Sequence, residues 1–136
     1  MIRRDNVRVC VPRYLQIGKG SLNELPEIIK ILGSINSLLI VTDKQMVKFG
    51  YVKKLQEVLS KEGIKSDVFD DTVPDPTDTV VLNGINFLDK CKNDAVIGFG
   101  GGSPIDTAKA IAAMAKYSKN IQDYKPPSMF DKKGLP

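Results

Sequence analysis

The stretch Asp94–Ala110 limits the possible folds more than any other part of this chain. It opens on Ala95–Gly98, apolar enough for a buried strand, and passes through bare backbone at Gly100, Gly101 and Gly102. A helical pattern follows. Ser103 suits the N-cap, Pro104 the first helical position, and Asp106 completes the S-x-x-D pattern of a capping box. Ala108, Ile111, Ala112 and Ala115 then carry one apolar face at helical spacing. A glycine turn between a strand and a helix lets an anion approach the main chain closely. There, free N–H groups and the positive end of the helix dipole receive a phosphate. The same glycines also serve a tight turn that binds nothing, with Ser103 and Asp106 only capping. The run Gly98-x-Gly100-x-x-Ser103 departs from the usual dinucleotide fingerprint, with Ser in the third glycine's place. No Lys-Ser or Lys-Thr pair follows the glycines, which excludes a P-loop.

Composition narrows the function. The 136 residues, 42% of them hydrophobic, suffice for one ordinary core. The net charge of +4 is spread along the chain, and its basic clusters (Arg3-Arg4, Lys53-Lys54, Lys132-Lys133) are only pairs. That is too little for a nucleic-acid track. No apolar run is long enough for a membrane span, and the N-terminus lacks a signal peptide's apolar core. Cys10 and Cys91 are isolated, which reads as reduced thiols in a cytoplasmic protein. There is no histidine. The commonest general base and transition-metal ligand is therefore missing, and the expected work of these residues is binding, with no catalytic or metal-ligating residue named.

Taken in order, Val7, Val9 and Val11 alternate with polar neighbours as a half-buried strand, and Tyr14–Ile17 offers it a hairpin partner. Leu22, Leu25, Ile28, Ile29 and Leu32 share a helical face, ended by Gly33. Leu38–Val41 is apolar throughout, as a parallel strand covered on both faces requires. A short helical piece runs from Thr42-Asp43 to Phe49. Val52, Leu55, Val58 and Leu59 mark a further helix closed by Gly63, and Ser66–Asp70 a further strand. In Pro74-Asp75-Pro76-Thr77, Asp75 suits a cap and Pro76 a helix start. The following helix buries Val80, Val81, Ile85 and Leu88. Beyond Ala115 the chain turns polar, Lys125-Pro126-Pro127 stops any helix, and Phe130–Pro136 reads as a surface loop.

After the opening hairpin, helices and strands alternate. That order specifies an α/β fold: a Rossmann-like parallel sheet with helices on both faces. Ligands of such sheets bind beyond the carboxyl ends of the strands, at the switch point. Three loops leave those ends: Thr42-Asp43, Val73–Thr77 and Gly100–Asp106. Asp43 is placed either to accept hydrogen bonds from ribose hydroxyls and repel a 2′-phosphate, or to cap the short helix after it. Lys109 reads as a solvated residue within reach of a phosphate.

Gly100-Gly-Gly-Ser-Pro-Ile-Asp-Thr-Ala-Lys-Ala110 resembles the cofactor motif of the iron-containing (group III) alcohol dehydrogenase family. Gly18-x-Gly20-Ser21-Leu22, Thr42-Asp43 and Pro74-x-Pro76-Thr77 extend the resemblance over nearly the whole chain in the family's order. The resemblance implies that Gly101, Gly102 and Ser103 bind the pyrophosphate of a nicotinamide dinucleotide, with Gly100 also in the cofactor site, and that Asp43 binds the adenosine ribose. It implies Pro74 and Thr77 near the adenosine end and Asp106 near the nicotinamide. The cofactor implied is NAD in preference to NADP, and the partners a small alcohol or aldehyde and further copies of the chain, with no nucleic acid or membrane. The family's divalent metal, iron or zinc, belongs to a helical domain beyond these residues. Residues 1–136 therefore read as an incomplete dinucleotide-binding domain without turnover of its own. Two alternatives are a stand-alone nucleotide-binding module and a glycerol dehydrogenase-like or dehydroquinate synthase-like member of the same superfamily.

Overall fold

The computed structural model describes residues 14–117 and 134–136. Its centre is the strand Ser37–Val41 (β1), in which Leu38–Val41 are apolar and buried and have no polar face to offer water. β1 pairs in parallel with Lys65–Phe69 (β2) on one side and Ala95–Gly98 (β3) on the other, giving the order β2-β1-β3. Helices α1 (Leu25–Leu32) and α3 (Tyr51–Lys61) cover one face. There Ile29, Val52, Leu55 and Leu59 pack on Leu38 and Ile40. Helices α4 (Asp78–Cys91) and α5 (Gly102–Met114) cover the other, with Ile85, Leu88 and Ile111 on Leu39 and Val41. Alternate β1 residues thus serve opposite cores, as the period of two in a strand demands. A five-residue helix, α2 (Lys44–Lys48), stands at the carboxyl end of β1.

The parallel sheet with helices on both faces agrees with the sequence reading, and so does the end of α1 at Gly33, with φ 141°. Other expectations need correction. The first strand of the expected hairpin, with Cys10, lies outside the described residues, as do 118–133. Tyr14–Ile17 carries no strand, and Leu15 and Ile17 are exposed. Leu32, the last residue of α1, is also exposed. Asp75 does not cap α4. It adopts φ 52°, and Thr77 takes the cap, its Oγ1 accepting from the Val80 N–H at 3.3 Å.

At α5 the expected capping box is absent. The N-cap is Gly101, and no side chain caps the helix. Ser103 is already inside the first turn, where its carbonyl accepts the Thr107 hydroxyl at 2.8 Å. Gly134–Pro136 is not a free surface loop either: the Leu135 N–H donates to Ala112 O at 2.8 Å, and the Val96 N–H donates to Pro136 O at 2.9 Å.

Candidate functional site

The topology places the site. β1 sends its chain onward to α3 and β2 on one side, while β3 lies on its other side, so the loops leaving β1 and β3 diverge. The divergence leaves a crevice at the carboxyl ends of the strands. Here it is a cleft of about 520 Å³, within the usual range for small-molecule sites.

Thr42 fixes the floor. It is fully buried, its Oγ1 donates to Phe99 O at 2.7 Å, and its own carbonyl accepts the Thr72 hydroxyl at 2.7 Å. One residue therefore ties the loops after all three strands together. Asp43 follows in extended backbone. Its Oδ1 accepts the Met46 N–H at 2.9 Å, capping α2, while Oδ2 faces the glycine turn. Capping and facing the cleft are thus compatible, because a carboxylate has two oxygens.

Gly100 has φ 143°, and a Cβ there would stand 3.1 Å from Pro104 Cγ and 3.3 Å from Asp43 Oδ2. Only glycine allows this approach of the turn to Asp43. Around Gly101 and Gly102 the space is open: a Cβ at either would meet nothing within 4 Å. Their backbone edges the cleft together with Ser103. The N–H groups of the first turn of α5 have no intrahelical acceptor. With no side chain capping them, Gly102 and Ser103 are left as donors for a ligand anion at the positive end of a 13-residue helix. The capping box, had it formed, would have consumed the Ser103 N–H, through the Asp106 carboxylate. These open glycines, free donors and the facing carboxylate fit a dinucleotide with its pyrophosphate on the turn.

The structure brings Asp43, Pro74, Gly101, Gly102 and Ser103 into one cleft, with Gly100 immediately behind them. Thr77 and Asp106 are not in its lining. Thr77 caps α4, and Asp106 is exposed with its Oδ1 3.1 Å from Lys109 Nζ. Lys109 is thus paired one turn along the helix from the site.

Sequence reasoning missed Thr42 as the tie between loops, and it missed Lys44, Asp70 and Asp71, which also line the cleft. Lys44 Nζ lies 2.6 Å from Asp71 Oδ1 and 3.7 Å from Asp70 Oδ1. The hydrogen bond to Asp71, then the charge of Asp70, raises the ammonium pKa above its ordinary value. The available signal was position: polar residues directly after a buried parallel strand stand at its carboxyl end. Among the described residues no group of three or more His, Cys, Asp or Glu is arranged to hold a metal. Likewise, no helix among them is long and apolar enough to cross a membrane.

Comparison with known proteins agrees with this fold. The chain is 35% identical over 132 residues to long-chain-alcohol dehydrogenase 1 of Geobacillus thermodenitrificans, covering 95% of this chain and 33% of that protein. It is 34% identical over 122 residues to the NADPH-dependent butanol dehydrogenase of Clostridium saccharobutylicum, covering 89% and 30%. Among solved structures, NADH-dependent butanol dehydrogenase A of Thermotoga maritima superimposes with a TM-score of 0.85 at 30% identity, covering 96% of this chain and 33% of that one. The chain thus spans about a third of the length of these relatives. The model of iron-containing alcohol dehydrogenases matches residues 12–136, and the chain belongs to that family.

Proposed function

We propose that this chain holds a nicotinamide dinucleotide, NAD in preference to NADP, as the cofactor-binding part of an alcohol–aldehyde oxidoreductase. The observation that carries the reading is the meeting of an uncapped α5 N-terminus with Asp43 across one cleft. In this reading the N–H groups of Gly102 and Ser103 bind the pyrophosphate, and Gly100 and Gly101 keep side chains out of its way. Asp43 Oδ2 accepts from the ribose hydroxyls and disfavours a 2′-phosphate. Pro74 borders the adenosine side, with Thr77 behind it, and Asp106 lies further along α5 toward the nicotinamide.

The bound nicotinamide supplies the acceptor for hydride from an alcohol, or the donor of hydride to an aldehyde. The residues of this chain bind and orient it. The described residues do not fit a divalent metal, and the chain contains no histidine, so polarising the alcohol oxygen is not assigned to them. The chain alone is accordingly expected to show no NAD-linked oxidation of primary alcohols. The names of the relatives, butanol and long-chain-alcohol dehydrogenases, support an alcohol as substrate class without fixing its chain length.

Calorimetry of the 136-residue chain with NAD and NADP tests the reading. NAD should bind in the micromolar range, more tightly than NADP. Asp43→Ala should weaken NAD about tenfold, the effect of some 1.4 kcal/mol. Asp43→Asn keeps an oxygen for the Met46 cap, so it separates loss of the ribose contact from loss of α2. A sample folded by circular dichroism that binds neither nucleotide overturns the proposal.

A further inference from the structure

The wall of the cleft opposite the glycine turn is acidic in an unequal way. Asp43, Asp70 and Asp71 line it, and Lys44 is the one cation in that lining among the described residues. A cationic side chain beside the residue facing the ribose is what accommodates a 2′-phosphate, and Lys44 holds that position. Here it is already engaged: Asp71 accepts from Nζ at 2.6 Å, and Asp70 adds a second carboxylate at 3.7 Å. The backbone enforces the meeting, because Asp43 and Asp71 form an antiparallel bridge that sets the start of α2 beside the end of β2. Thr72, next in sequence, is anchored to the Thr42 carbonyl.

We propose that Asp71, backed by Asp70, is a specificity-determining residue that withholds Lys44 from the 2′-phosphate of NADP. This rests on the reading of the cleft as a dinucleotide site. The partners are exposed, with 71% of the Lys44 side chain and 68% of that of Asp71 accessible to solvent. Such a pair adds little to folding. Its consequence is for the ligand, since a dianionic group entering here must break the pair and still face two further carboxylates. Asp43 refuses the extra phosphate by charge, and Asp71 engages the one cation that lines the cleft among the described residues.

The experiment is calorimetry of the full chain with NAD and with NADP, for the wild type, Asp71→Asn, Asp70→Asn/Asp71→Asn and Lys44→Met/Asp71→Asn. Removing the Asp71 charge should raise the NADP-to-NAD affinity ratio about fivefold, with most of the change in NADP. The double Asp variant should raise it further. Adding Lys44→Met to Asp71→Asn should abolish the gain, because the freed ammonium is its cause. An unchanged ratio in folded Asp71→Asn overturns the proposal, and so does a gain that survives Lys44→Met, which would reduce the effect to general charge. Should Asp71→Asn fail to fold by circular dichroism, Asp71→Ser and Asp70→Asn carry the same test. Wild type that binds NAD, with the ratio unmoved in folded Asp71→Asn, sinks this proposal alone. Wild type that binds neither nucleotide sinks the cleft reading with it.

Discussion

Single residues here do two jobs wherever the chain turns from scaffold to site. Asp43 caps α2 with one oxygen and faces the glycine turn with the other, so the sequence alternatives of cap and ligand were never exclusive. Asp94 is a purely structural contrast. Its carboxylate accepts the N–H groups of Asn36 at 2.9 Å and Ser37 at 3.0 Å, pinning the start of β3 to the start of β1. Those bonds, the Asn36 N–H foremost, hold its pKa below the ordinary value for Asp. A carboxylate whose folded pKa is depressed contributes stability that is present above the unfolded pKa. That contribution is lost as pH falls through the folded value. Urea midpoints of the wild type should therefore fall from about pH 4 downward more steeply than those of Asp94→Asn. Parallel acid limbs in the two proteins would show that Asp94 is not a source of the acid sensitivity.

At the scale of elements, what was legible in the sequence was whatever periodicity encodes. The unbroken apolar run at Leu38–Val41 identified the central strand, and the spacing of Val52, Leu55 and Leu59 identified the inward face of α3. Cap positions were not legible. Ser103, Pro104 and Asp106 satisfy every residue preference of a capping box, yet the helix begins earlier, at Gly102. The reason lies in packing that no local pattern records. A Cβ at Gly98 would stand 2.9 Å from the Ile105 Cα and 3.0 Å from the Ala108 Cβ, so the first turns of α5 are drawn directly against β3. This close approach takes precedence over side-chain capping, and it leaves the first-turn N–H groups at the cleft. Gly98→Ala should force the two backbones apart and cost about 1–3 kcal/mol in urea unfolding. It should also weaken NAD although residue 98 does not line the cleft. Undiminished stability and binding would mean that α5 owes its position to something else.

Over the whole molecule, the sheet is asymmetric in how it is finished. β1 is sealed on both sides by its neighbours, whereas the outer side of β3 meets the last described residues of the chain. The sequence presented Gly134-Leu135-Pro136 only as glycine, proline and one apolar residue after a polar stretch, and that pattern reads as a loop. Its real partner, the groove between β3 and α5, is distant in sequence and therefore invisible to local pattern. The Leu135 side chain packs half-buried against the core between β1, α4 and α5, and backbone hydrogen bonds from Val96 and to Ala112 hold its segment in place. Half a leucine's burial is worth less than the roughly 2–5 kcal/mol lost when a fully buried one is truncated. Leu135→Ala should therefore cost about 1–2 kcal/mol. Leu15, 74% exposed, is the matched control, and Leu15→Ala should shift stability by less than about 0.5 kcal/mol. Both are read from urea midpoints at constant slope. Equal, small effects would show that the segment after Gly134 rests on β3 without supporting it. The expected difference would show that this short stretch covers the sheet's exposed side, where an unpaired strand edge would otherwise invite pairing with another chain.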